Sequence, residues 1–442
     1  MRRSVLFACG VCLSAAAAVA GALPQVSNVS MTQEANRTVT IRYHLDKAPA
    51  IVTLDLELNG SNVTAEVFGN AVGEYNRKVT TAGDHTIVWK VRKSPLSGAD
   101  YASARALVKA WPLKRPPDYM VVDLDHENDI RYYTSSNALP GGLLGNDAYR
   151  QSKLVMRLIR AKGIDWTMGC CGEAVRYGTS YFDREAEQPH AVKLDHDYWI
   201  GVFEITQAQW SKFKTNVSSF KAVEGAMRPA ESMNYHDVRH ANSQGDNTLA
   251  YYPAAPGDKS YLGLLRERTG LSFDLPSEAE WEFACRAGTG EATFNDGTPA
   301  AGMYGTVGIF PGRCQTVTKP NNNNQISANV GPTNGTAVVG SYPPSKWGTY
   351  DMHGNVAEMC LDWYRKDIST LGGAVNANGA NYADGTTPAN AYRSCRGGGW
   401  WHYACYSRSA SRTSSYCAYA PEKDFTWKRA IGFRVICPLE EE

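Results

Sequence analysis

The sequence predicts an α+β fold in two parts, a small all-β sandwich followed by a larger domain with little regular structure. Three observations predict it. Runs of alternating Val, Ile and Thr, separated by turn signals, fill residues 25–112. Beyond them, two stretches carry clear helix-start signatures. The rest is loop dense in Gly, Asn and Pro, which needs disulfides, metals or aromatic packing to stay ordered, and the chain has 11 Trp and 24 Tyr. The 442 residues suffice for two or three domains. With 45 Lys and Arg against 44 Asp and Glu, the net charge of +1 gives no electrostatic reason to expect nucleic acid or an anionic membrane as partner.

Residues 1–22, "MRRSVLFACGVCLSAAAAVAGA", read as a signal peptide: two arginines, a short Ala-rich apolar stretch, then small residues at Ala18, Ala20 and Ala22 suited to cleavage. No later run is apolar enough to span a bilayer, so the mature chain is expected to be secreted or to lie in the periplasm or cell envelope. Of 11 cysteines, Cys9 and Cys12 leave with the leader, and the odd number remaining implies at least one thiol that is free, metal-bound or intermolecular.

Residues 23–112 contain the strands "RTVTIRYHL", "AIVTLDLEL", "HTIVWKVR" and "ARALVKAW", with turns at "NGSN" and "TAGD". They resemble the immunoglobulin-like or fibronectin-like sandwiches of exported proteins, and with no cluster of catalytic residue types they read as a spacer or adhesion module. A connector, 113–153, follows with one apolar strand, "YMVVDL". In the domain at 154–442, "ITQAQWSKF" opens a helix with Thr206 as N-cap, Gln209 closing a capping box, and Ile205 and Trp210 at the staple positions. "DLPSEAEWEFACRAG" repeats the device with Ser277 and Glu280, puts Trp281, Ala284 and Cys285 on one face and stops near Gly288.

Five blocks, "YWIGVFEITQAQW", "LPSEAEWEFACRAG", "VGSYPPSKWGTYDMHGNVAEMCLDWY", "CRGGGWWHYACYSRSASR" and "IGFRVI", resemble in order those of the sulfatase-modifying-factor family, which includes the formylglycine-generating enzyme. The resemblance covers residues 160–438. It implies a C-type-lectin-like formylglycine-generating-enzyme fold. It also implies structural calcium held by the side chains of Asp351 and Glu358 and the carbonyls of Gly354 and Val356, a set that suits a hard cation wanting about six to eight oxygens. The other reading of Glu358 is a pair with a buried arginine, Arg396, Arg412 or Arg434. The region before this block, "ANVGPTNGTAVVGSYPP", has Asn329 but no acid, which argues against a second calcium.

The same resemblance implies copper(I) held by two cysteines after the glycine motif, used with oxygen to oxidise a protein cysteine. Here those positions fall on His402 and Ser407. The serine of the glycine motif is Gly399, and the tryptophan before the calcium-binding glutamate is Ala357. These departures argue against formylglycine generation. A His/Cys site for copper or zinc can be drawn from His402, Cys405, Cys395 and Cys417, against the alternative of disulfides that also involve Cys285, Cys360 or Cys437. Iron, as in the related sulfoxide synthases, would need histidines that this chain does not supply in a recognisable set.

Two functions compete. One is a binding protein for a peptide, protein or glycan, with Trp400, Trp401, His402, Tyr403, Tyr406, Arg408 and Arg412 forming an aromatic and guanidinium pocket. The other is a metal- and oxygen-dependent oxidoreductase acting on a protein cysteine.

Overall fold

The structure, a computed structural model, describes residues 23–34, 38–64, 71–90, 104–170, 187–214, 225–241, 253–290, 335–375, 393–400, 407–415 and 431–439. The signal-peptide expectation lies outside them.

The first part contains β1 (Val26–Gln33), β2 (Thr38–Leu45), β3 (Ala50–Leu58), β4 (Ser61–Asn62), β5 (Ala71–Gly73), β6 (Arg77–Val79), β7 (Gly83–Lys90) and β8 (Ala104–Trp111). They form two antiparallel sheets, ordered β1-β2-β7-β5 and β4-β3-β6, with β8 also paired to β3. Alternation does the folding. Val39, Ile41, Tyr43 and Leu45 of β2 point one way, Ile41 opposite Ile87 and Val39 opposite Trp89, and meet Ala50, Val52, Leu54 and Leu56 of β3 in one core.

β3 breaks the rule, because Ile51, Thr53 and Asp55 on its other face are buried as well. Trp111 of β8 covers part of that face, donating to Thr53 at 2.8 Å, and further cover comes from the next part of the chain. β9 (Tyr119–Asp123) and β10 (Ile130–Tyr133) arise from the stretch expected to be a connector, yet they build a five-stranded sheet, β10-β9-β11-β14-β19. Its other strands are β11 (Lys153–Ile159), β14 (Tyr198–Gly201) and β19 (Ile436–Pro438). β10 lies against β3 and β6. Thr134 donates to Asp55 at 3.0 Å, and the Tyr132 amide donates to the Asn76 carbonyl at 2.7 Å. The sandwich is thus bonded to the larger domain rather than strung from it.

β12 (Asp165–Met168) and β13 (His190–Lys193) form a separate hairpin-like pair. Among the described residues three α-helices follow: α1 (Gln207–Trp210), α2 (Tyr261–Thr269) and α3 (Glu278–Arg286). Both sequence-expected capping boxes are present, Thr206 with Gln209 and Ser277 with Glu280. α1 is a single turn, its rings packed against Tyr261 and Phe433. The last sheet holds β15 (Ala357–Trp363), β16 (Arg393–Arg396), β17 (Arg412–Ser415) and β18 (Ile431–Gly432), ordered β17-β16-β15-β18. Glu358 sits at its centre, opposite Arg396 on β16 and Gly432 on the parallel β18.

All nine residues of α3 are buried, although only one face was expected to be. Two of its three acids find arginines, from the sheet and from the helix itself. Arg412 grips Glu278 through two bonds of 2.5 and 2.7 Å, while Arg286 and Arg396 both pair with Glu282. Buried charges persist only when paired in this way.

Candidate functional site

The bend before β15 is built from backbone that most side chains avoid. Asp351 has φ +59° and Asn355 φ +61°, both left-handed, and Gly354 has φ +107°. Neighbours hold the turn in place. The Gly354 amide donates to the Gly397 carbonyl at 2.8 Å, and a Cβ on Gly397 would come within 2.9 Å of the Trp281 ring. Asn355 accepts from the Ala337 amide at 2.7 Å and donates to Glu204 at 2.6 Å.

Three buried carboxylates meet here with one guanidinium. Glu358 Oε2 accepts from Arg434 Nε and from Trp281 Nε1, each at 2.6 Å, and Oε1 accepts from Arg434 Nη2 at 2.6 Å. Of the three arginines the sequence offered, Arg434 is the partner; Arg396 and Arg412 serve α3. Asp351 Oδ2 accepts from the Gly340 amide at 2.6 Å, and Oδ1 is buried with no hydrogen-bond partner. Glu204 accepts from Asn355 and from the Val356 amide.

The electrostatics follow. Burial, then the charges of Asp351 and Glu358, push the Glu204 carboxyl well above its ordinary range against the pull of Arg434. Burial raises Asp351 to about 6, with Glu358 adding to the shift while the Gly340 amide and Arg434 oppose it. The group is therefore short of positive charge. A divalent cation would balance three carboxylates against one arginine, and the orphaned Asp351 oxygen together with the remaining lone pair of Glu358 Oε1 gives it acceptors. Among the described residues no three His, Cys, Asp or Glu converge to hold a metal, so such an ion would draw further on the carbonyls of Gly354 and Val356 and on water. Within the expected ligand set, Glu358 is paired with Arg434, and a lone pair of Oε1 is what it has left to offer a cation.

Sequence reasoning missed Glu204. An acid inside the apolar run "YWIGVFEIT" was the available signal, since a carboxylate there must be buried and needs partners.

The segment expected to form a pocket divides. Trp401, His402, Tyr403 and Tyr406 lie outside the described residues. Trp400 is half-buried, its amide donating to the Asn355 carbonyl at 2.8 Å. Arg408 and Arg412, expected to face a ligand, are instead buried: Arg408 binds Glu187 through two bonds of 2.7 Å, as Arg412 does Glu278. Their guanidinium forks are committed to the fold.

Ser407, expected from the resemblance to stand at the second copper-cysteine position, is fully buried with an unpartnered hydroxyl. Its carbonyl accepts from His353 Nδ1 at 2.8 Å. That bond fixes the tautomer and turns His353 Nε2 toward the Cys285 thiol, 3.8 Å away. Burial pushes the Cys285 thiol up to about 12, despite the opposing influence of Ser409, so it is a thiol and not a thiolate at neutral pH. Cys170, Cys285, Cys360, Cys395 and Cys437 are all buried, and among the described residues none of them forms a disulfide, which corrects the expectation of disulfides through the last four. Cys285 and Cys360 share one apolar cluster as unlinked thiols, while Cys395 and Cys437 sit in the main core. Cys405 and Cys417 lie outside the described residues.

Comparison with known proteins agrees with the blocks read in the sequence. "Chaperone protein LppX" of Paenibacillus barcinonensis is 28% identical over 225 residues, 46% of this chain and 69% of its own length. The formylglycine-generating enzymes of Thermomonospora curvata and Bos taurus are 35% and 28% identical over 21% and 38% of this chain, which spans 28% and 43% of their lengths. Among solved structures, PvdO from Pseudomonas aeruginosa overlays on 64% of this chain and 94% of its own with TM-score 0.42 and 20% identity. Residues 168–438 match the sulfatase-modifying factor enzyme 1-like domain, and the chain belongs to that family.

Proposed function

We propose that this chain is an exported, non-oxidising member of its family whose C-terminal domain captures a peptide or glycan, its strained bend braced by calcium. The observation that carries the reading is Ser407. The family's reaction uses a pair of soft sulfur ligands, and here the second position is a buried hydroxyl whose oxygen is a poor ligand for copper(I). The Paenibacillus relative is named a chaperone, which supports a role in binding polypeptide. Calcium at Asp351 and the Gly354 and Val356 carbonyls would neutralise the local excess of carboxylate and supply no redox chemistry.

The test presents the purified chain, supplied with copper(I) and oxygen, with a sulfatase-derived cysteine peptide and traps aldehyde. No formylglycine is expected, and its formation would overturn the reading. Peptide and glycan arrays, run with the wild type and with Trp401→Ala and Tyr403→Ala, then identify the ligand.

One observation favours the second reading, a metal- and oxygen-dependent oxidoreductase. Cys285 and His353 face one another beside Ser407, a sulfur and a nitrogen donor in the region where the family does its chemistry. Metal analysis of the purified protein and oxygen uptake with a thiol substrate would reveal it.

A further inference from the structure

The seam between the sandwich and the larger domain encloses a cleft of about 880 Å³, within the usual range for small-molecule sites. None of the residues discussed above as ligand or metal candidates lines it. The cleft is built rather than a gap between loosely tethered parts. Besides the Thr134–Asp55 and Tyr132–Asn76 bonds, Arg131 donates to the Tyr75 carbonyl at 3.4 Å, and Arg77 lies 3.6 Å from Asp129.

Its floor is apolar. Met120, Ile130, Tyr132 and Trp199 present one surface of the five-stranded sheet, extended by Leu271, and prolines close the sides. Its walls carry Arg77, Lys78, Lys114 and Arg115, while no Asp or Glu lines it among the described residues. In a chain with 45 basic against 44 acidic residues, that segregation is a local field and not a reflection of composition. Lys78, Lys114 and Arg115 are exposed and make no ion pair among the described residues. A second cleft of similar volume shares Lys114 and Arg115 and adds Arg160, which pairs with Asp118 at 3.2 Å, together with Lys162 and Asp197, so the unbalanced cations stay at Lys114 and Arg115.

We propose that this cleft binds an anionic amphiphile, with its alkyl or acyl chain along the sheet floor and its carboxylate or other anionic head at Lys78, Lys114 and Arg115. An acidic peptide would match the charge, but it gains most by adding to a strand edge, and the edges here are spoken for. The β10 amide of Tyr132 is bonded to Asn76, and Ile436 of β19 is bridged to Asp274 in both directions. What remains open is apolar floor and cationic rim, which suits a tail and a head.

Calorimetric titration of the full mature chain tests this, using alkanoates below their micelle concentrations. Dodecanoate should bind and raise the melting temperature, octanoate, four methylenes shorter, should bind on the order of a hundredfold more weakly, and dodecyltrimethylammonium should not bind. The double variant Lys114→Glu/Arg115→Glu, made at exposed positions, should keep its wild-type melting temperature without ligand and lose at least about tenfold in affinity. Equal binding of the cationic amphiphile, no dependence on chain length, or undiminished affinity in the double variant would overturn the proposal. So would capture of acidic peptides by a chain that ignores dodecanoate. None of these outcomes depends on formylglycine formation or on array ligands, so this site and the proposed function can fail separately.

Discussion

The Glu358–Arg434 pair sets the stakes at the level of single residues. Both side chains are fully buried, and removing one charge strands the other. Glu358→Gln should cost about 3–5 kcal/mol, read by chemical denaturation, whereas Asp351→Asn should cost much less, because its Oδ1 already lacks a partner. Calcium separates them further. Wild type should melt higher with calcium than with chelator, and Asp351→Asn should erase that difference; equal melting in both media would remove the cation from the account. The bend itself was legible because acids, Gly and Asn cluster within a few residues. Arg434 as partner was not, since the three candidate arginines differ only in where the sheet brings them.

His196 links single residues to an element. It bridges Asp195 at 2.6 Å and Glu280 of α3 at 2.9 Å, and the Glu280 bond, over the opposition of burial, raises its pKa to about 9. A folded-state pKa above the unfolded value means that the charged form stabilises the fold. This contribution is complete below about pH 6.5 and fades as pH rises through 9, amounting to at most about 3 kcal/mol and less once solvent screens the half-buried ring. His196→Gln should flatten the stability profile between those limits, and an unchanged profile would show the bridge to be energetically idle. For α3 itself, Ser277→Ala should cost about 1–2 kcal/mol, because the cap is buried and cannot be replaced by water. The capping boxes were readable as local patterns of four residues. The burial of the helix on every face was not, because it depends on arginines more than a hundred positions away.

For the whole molecule, the sandwich and the larger domain share β3's second face, so they should unfold together. One calorimetric transition is expected for the chain, splitting in Asp55→Ala/Asn76→Ala, in which the Thr134 bond and the Asn76 support of the β3 backbone are both lost. Two transitions in the wild type would return the sandwich to a mere spacer. From the sequence that face looked ordinary, because the strand pattern reports that a face is apolar without saying what covers it.

What the sequence by itself determined were the features carried by neighbours in the chain: strand alternation, helix caps and the glycine-permitted bend. The tertiary structure alone decided which charges meet. It assigned Arg434 to Glu358, brought Glu204 to Asp351, withdrew Arg408 and Arg412 into the core, and gathered four cations along one seam. Such meetings depend on how sheets pack over large sequence separations, and a carboxylate's role is set by whatever stands opposite it in the interior.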